Sequence, residues 1–193
     1  MQDQQCIGIA SWSMSTGEIH VFTANQVILA TGGYGQIYRT TTAANICTGD
    51  GNALCALAGI PLQDMEFIQF HPTAIPELGV LITEAARAEG GYLVNGLGER
   101  FMKNYSPQFE DLACRDVVAR AIATEIANNR GAGDKKNHIW LYLTHLDKQT
   151  LTEKLPNLLE VAKQFANCDP SIDPIPVAPA AHYTMGGIPV KVH

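Results

Sequence analysis

Four polar islands carry the side chains whose types and spacing could do chemistry: Gln69-Phe70-His71-Pro72-Thr73, Thr83-Glu84-Ala85-Ala86-Arg87-Ala88-Glu89-Gly90-Gly91, Arg115-Asp116 and His182-Tyr183-Thr184-Met185-Gly186-Gly187. Each sits at the edge of an apolar segment. Together they bring two imidazoles, a hydroxyl and two guanidiniums, the donor set needed to hold a small dianion with a carboxylate at either end. Glu84 and Arg87 lie three residues apart, so one helical turn puts them on a shared face. Taken alone, that spacing describes an ordinary surface ion pair worth less than about 1 kcal/mol. Arg115 opens an apolar run, where a cation does nothing for a helix dipole, so either Asp116 or another carboxylate holds it or it has a chemical task. A lone histidine is more often structural than a ligand; His71 could stack on Pro72, and Thr83 could cap the helix that follows it.

The elements that must position these groups follow from periodicity. Residues 5–11 and the alternating stretch 18–24 read as strands joined by the turn Ser15-Thr16-Gly17. The continuous apolar run 26–31 predicts a third strand, buried on both faces of a parallel sheet, with Gly32-Gly33 making a tight exit beside a ligand. Thr48-Gly49-Asp50-Gly51 leads into a helix over 52–58, with Thr48 or Asp50 as its N-cap and Gly59 as its stop. Turn-rich segments with Pro72, Pro76 and Pro107 come next. A clear helix is then expected over 114–129, from Val118, Ile122 and Ile126 at four-residue spacing. A strand over 138–143 and a helical region over 148–166, its second part opened by Pro156, complete the pattern before an extended, proline-rich 169–179.

Composition narrows the classes. The 193 residues suffice for one good-sized domain or two small ones, and 46% hydrophobic with 17% charged content is ordinary for a globular chain. A formal net charge of −6 with no basic cluster argues against a nucleic-acid binder, while local Arg and His can still attract an anion into a cleft. Cys6, Cys47, Cys55, Cys114 and Cys168 are scattered without a Cys-x-x-Cys pair, which fits neither a metal site nor a disulfide framework and is read as five free, buried thiols. No apolar run approaches the ~20 residues of a membrane span. A cytoplasmic chain is expected.

The motifs also carry a resemblance. Ala30-Thr31-Gly32-Gly33, Tyr38-Arg39-Thr40-Thr41-Thr42, Thr48-Gly49-Asp50-Gly51, Gln69-Phe70-His71-Pro72-Thr73, Leu81-Ile82-Thr83-Glu84 and Gly98-Glu99-Arg100-Phe101-Met102 occur in that order. Arg115-Asp116-Val117-Val118-Ala119-Arg120 and His182-Tyr183-Thr184-Met185-Gly186-Gly187 follow. The series resembles the flavoprotein subunit of the succinate dehydrogenase and fumarate reductase family, with L-aspartate oxidase as a sibling. The resemblance implies a fold of mixed α/β and α+β class: part of a Rossmann-like FAD-binding domain (1–65), an inserted α+β capping domain (66–181), and a return to the first at 182–193. It implies FAD-dependent interconversion of succinate and fumarate, within the tricarboxylic acid cycle and electron transport. Fumarate reductase, L-aspartate oxidase, or a dicarboxylate-binding cap without catalysis are the alternatives.

By the same resemblance Arg115 transfers the proton, with Glu84 and Arg87 as its relay. His71, Thr83, Glu84 and His182 bind the substrate carboxylates, and Ala30, Thr31, Gly32 and Asp50 contact FAD. His20, His138, His145 and His193 match no family position. Cys114 stands where the family commonly has glycine before the catalytic arginine, Ala88 where glycine follows the relay arginine, and Ala43 and Cys47 replace residues often polar near the flavin. No Gly-x-Gly-x-x-Gly occurs, so the chain is expected to be a fragment. Implied partners are an iron–sulfur subunit and a membrane anchor, on the cytoplasmic face of an inner membrane.

Overall fold

The computed structural model describes residues 5–191; Val192 and His193, the last two residues of the expected return, lie outside that range. The chain opens with an antiparallel hairpin, β1 (Gly8–Trp12) and β2 (Ile19–Thr23), in the register Gly8↔Thr23 to Trp12↔Ile19. Ile9, Trp12, Ile19, Val21 and Phe22 are all exposed on it. The third strand expected over 26–31 does not form. No described backbone pairs with the run, and Ile28 is 91% exposed. Its β-propensity is real, but a strand exists only through a neighbour that takes its hydrogen bonds.

Helix α1 (Asp50–Leu57) starts one residue away from either expected cap. Gly49 is the N-cap, at φ 86°, and the Thr48 hydroxyl donates to the Asp50 carboxylate at 2.9 Å. Gly59, at φ 81°, ends the helix where the sequence placed its stop.

A four-stranded antiparallel sheet follows, in the order β3-β6-β5-β4, built from β3 (Ile68–Ala74), β4 (Tyr92–Val94), β5 (Ile139–Tyr142) and β6 (Ile175–Thr184). Strand β3 occupies a stretch that reads as turns. Pro72 cannot donate to a ladder, and the register slips between Gln69 and Phe70 and again between His71 and Ala74. Such bulges tolerate a proline and re-aim the side chain beside it, which here sends His71 inward. Strand β6 starts later than the extended 169–179 expected and runs further, to Thr184, and so carries His182. Its first half pairs with β5 and its second with β3.

Helix α4 (Arg115–Ala127) packs on β3 and β6. Val118, Ala119, Ala121, Ile122 and Glu125 are its buried positions, a helical stripe that also fixes the direction of Arg115, one turn before Val118. The helix ends with Asn129 in the left-handed region, φ 60°. Short helices α2 (Ala85–Ala88), α3 (Met102–Tyr105), α5 (Lys148–Lys154) and α6 (Pro156–Val161) complete the fold, with Pro156 at the first turn of α6.

The main apolar cluster draws its buried members from Ile75 to Val177, among them Ile82, Phe101, Ile122, Leu141 and Leu151. Behind α4, Glu125 is buried and accepts from Asn95 (2.8 Å), Tyr105 (2.6 Å) and both Nε and Nη2 of Arg130 (2.8 and 2.7 Å). All five cysteines are free, but none is fully buried, and Cys6 and Cys114 are exposed. Among the described residues no helix is long and apolar enough to cross a membrane.

Candidate active site

Glu84, the residue before α2, is the centre of the site. Its Oε2 receives Arg115 Nε at 2.9 Å and Arg115 Nη2 at 2.8 Å, and its Oε1 receives Arg87 Nη2 at 3.0 Å. One carboxylate therefore bridges two guanidiniums. Arg115 also donates from Nη1 to Gln69 Oε1 at 3.1 Å. Asp116 takes no part, because Arg120 one turn on claims it at 2.7 Å. Arg115 and Glu84 keep 35% and 41% of their side-chain surface, whereas Arg87 keeps 2%. Arg87 gives its Nη1 to the Asp111 carbonyl, and its Nε is buried without a partner.

Burial pushes the Glu84 carboxyl up, but the hydrogen-bonded Arg115, with Arg87 and His71 adding attraction, brings it below the usual carboxylate range. Glu84 is an anion at neutral pH. Burial lowers the Arg87 guanidinium, against the opposing pull of Glu84 and Asp111.

The two histidines come together although they lie far apart in sequence. Their ring centroids are 5.4 Å apart in a T-shaped arrangement, so His71 packs against His182. His71 is 1% exposed, and burial first, then Arg115 and His182, push its pKa down to about 4. Burial and Arg115 lower His182 as well. Both are neutral donors at pH 7, flanking a cation. Thr83 is not the N-cap of α2, which is Glu84; its Oγ1 accepts from the Ala85 amide at 3.3 Å and its hydroxyl proton stays free for a ligand.

The flavin-side expectations divide. Gly32 lines a cavity of about 420 Å³ with Gly33, Gly35, Gly186, Gly187 and His182. A Cβ on Gly33 would collide with the Thr184 hydroxyl, and one on Gly51 with Thr31 Oγ1. Thr31 thus lies against the start of α1, beside Asp50. Ala30 lies in the unpaired, exposed run and does not line the cavity. A glycine-walled cavity with a histidine at its rim suits the close approach of a flat aromatic ring, so these residues fit a flavin.

Sequence reasoning singled out neither Gln69 nor Thr42, which hydrogen-bond Arg115 and His182, as site residues. Both stand inside quoted motifs, but no local pattern says which way they face. His20, His138 and His145 lie away from the site; His145, for example, contacts the Gly90 carbonyl at 3.0 Å.

The model of a family described as the FAD binding domain matches residues 1–193. Over 193 residues the chain is 53% identical to the succinate dehydrogenase flavoprotein subunit of Rickettsia conorii, covering 100% of this chain and 32% of that protein. It is 45% identical over 188 residues to the 8-methylmenaquinol:fumarate reductase flavoprotein subunit of Wolinella succinogenes, covering 96% of this chain and 30% of that one. A solved quinol–fumarate reductase with menaquinol superposes with a TM-score of 0.93 at 38% identity, over 99% of this chain and 35% of its own. The chain thus spans about a third of the length of the curated relatives it matches.

Proposed function

The chain belongs to the FAD binding domain family, and on that premise we propose that it forms the substrate-facing part of a flavoprotein that interconverts succinate and fumarate. The observation that carries this is the Arg115–Glu84–Arg87 bridge set beside the neutral pair His71 and His182. His182, His71 and Thr83 donate to the carboxylates of a C4 dicarboxylate, and Arg115 adds the cation that a dianion needs. When bound, FAD supplies the hydride acceptor or donor for the reacting carbon. Arg115 takes or gives the proton at the neighbouring carbon, and Glu84, anionic and bonded through Oε2 to two of its nitrogens, exchanges that proton onward. Arg87 holds Glu84 from the buried side.

The same reading divides the chain into an FAD-domain part (1–65), a capping part (66–181) and a return (182–193). Its support is that the buried cluster lies wholly between residues 75 and 177. It also places the flavoprotein in a complex with an iron–sulfur subunit and a membrane anchor, peripheral to the cytoplasmic face, as the relatives are flavoprotein subunits.

The test is anaerobic bleaching of flavin absorbance in the full-length flavoprotein, with succinate and separately with L-aspartate. Bleaching by succinate that is abolished in Arg115→Ala is the expected result. Bleaching by aspartate alone would move the protein to the oxidase branch, and silence with both would leave a cap that binds without catalysis.

A further inference from the structure

Each of the two site histidines has its Nδ1 engaged by a threonine. For His71 the contact is the Thr73 amide, at 3.2 Å. Thr73 falls in the register shift of the β3–β6 pair, and an amide can only donate. The Thr73 carbonyl, which accepts from the Ile82 amide, is also 3.2 Å away and has a second lone pair free. His71 Nδ1 thus faces a donor and an acceptor of Thr73 at equal distance, and either tautomer satisfies one of them.

His182 has its Nδ1 2.6 Å from Thr42 Oγ1. The place of Thr42 is set independently of the imidazole. Its amide donates to the Ala181 carbonyl at 2.9 Å, the Thr41 hydroxyl donates to the same carbonyl at 2.8 Å, and the Ala181 amide donates to the Thr40 carbonyl at 3.1 Å. A three-residue strap is thus bonded onto β6 one residue before His182, and it delivers a hydroxyl to the ring. His182 Nε2 has no hydrogen bond among the described residues, and the ring lines the glycine-walled cavity.

We propose that Thr42 is a positioning residue: its hydroxyl donates to His182 Nδ1 and holds the tautomer that offers Nε2–H to a substrate carboxylate. The identity of that ligand rests on the dicarboxylate reading above. The opposite tautomer would turn a lone pair toward the carboxylate and repel it. Burial and Arg115 keep His182 neutral, so a single proton is available and its location decides whether the ring binds. A donor that contacts the carboxylate equally in reactant and transition state contributes uniform binding, so its loss raises KM and spares kcat.

The experiment compares Thr42→Val, which keeps the shape and removes the hydroxyl, with Thr42→Ser, which keeps the hydroxyl, in the full-length flavoprotein. Thr42→Val is expected to raise KM for succinate about tenfold with kcat within about twofold, and Thr42→Ser to restore it. Nitrogen-15 NMR of histidine-labelled protein, with His182 assigned by its loss in His182→Gln, should show an unprotonated Nδ1 and a protonated Nε2. That spectrum is read without substrate, so it judges the tautomer even if succinate leaves the flavin unbleached. A protonated Nδ1 in the wild type, or an unchanged KM in Thr42→Val, would overturn the proposal.

Discussion

Replacing His71 with glutamine removes a titrating group whose effect on stability can be worked through. In the unfolded chain an imidazole titrates near 6.5, and in the fold the His71 value is about 4, from burial first and then from Arg115 and His182. Between those limits the unfolded chain binds a proton that the folded chain refuses. Stability is therefore level above about pH 6.5, falls as pH drops through the window, and levels again below about 4. The span of about 2.5 units at 1.36 kcal/mol each amounts to about 3 kcal/mol in all. Urea unfolding of this chain, followed by tryptophan fluorescence at several pH values from about 4 to 8, measures it. His71→Gln lacks that slope. His138 and His182, also lowered, should leave a smaller one in the variant. Wild type and variant differing by a constant amount across the window would refute the reasoning, for then His71 would titrate alike in both states.

Glu84→Gln keeps the shape of the bridge but removes its proton-accepting charge, so flavin reduction by succinate should slow by about 10²-fold or more with little change in KM; an unchanged stopped-flow rate would take Glu84 out of the relay. Glu125→Ala leaves the buried Asn95 amide and the Tyr105 hydroxyl without their acceptor and should cost about 1–3 kcal/mol by urea titration, while Glu125→Gln, which can still accept, should cost less. The Glu125 carboxyl is held at about 2, chiefly by its hydrogen bond from Arg130. Its contribution is thus present above about pH 4.5 and lost as pH falls toward 2, which acid titration of Glu125→Gln against wild type would register as a smaller loss. This chain alone should retain little FAD and turn nothing over, since Ala30, Thr31 and Gly32 are exposed and the run before them is unpaired; stoichiometric flavin carried through gel filtration would contradict that.

Much of this was legible in one dimension. The Glu84–Arg87 spacing, the apolar period of α4 and the glycines around residue 32 are local patterns, and local geometry alone makes them helix faces or small-residue walls. Two expectations failed for the same reason. The run 26–31 has strand composition but no described neighbour to pair with. The stretch around Pro72 has turn composition yet becomes a strand, because β6 lies alongside it and bulges absorb the proline.

Partner choice was the part that only the tertiary structure decided. Asp116 is adjacent to Arg115 in sequence, yet helix geometry gives it to Arg120 and leaves Arg115 to Glu84, 31 residues away. His182 meets its threonine across 140 residues. The sequence by itself determined which chemical groups exist and which short stretches share a face. Which carboxylate neutralises which guanidinium, and which hydroxyl holds which imidazole, depended on the β3–β6 pairing and the packing of α4, since hydrogen bonds require approach to about 3 Å and only the folded chain brings distant residues that close.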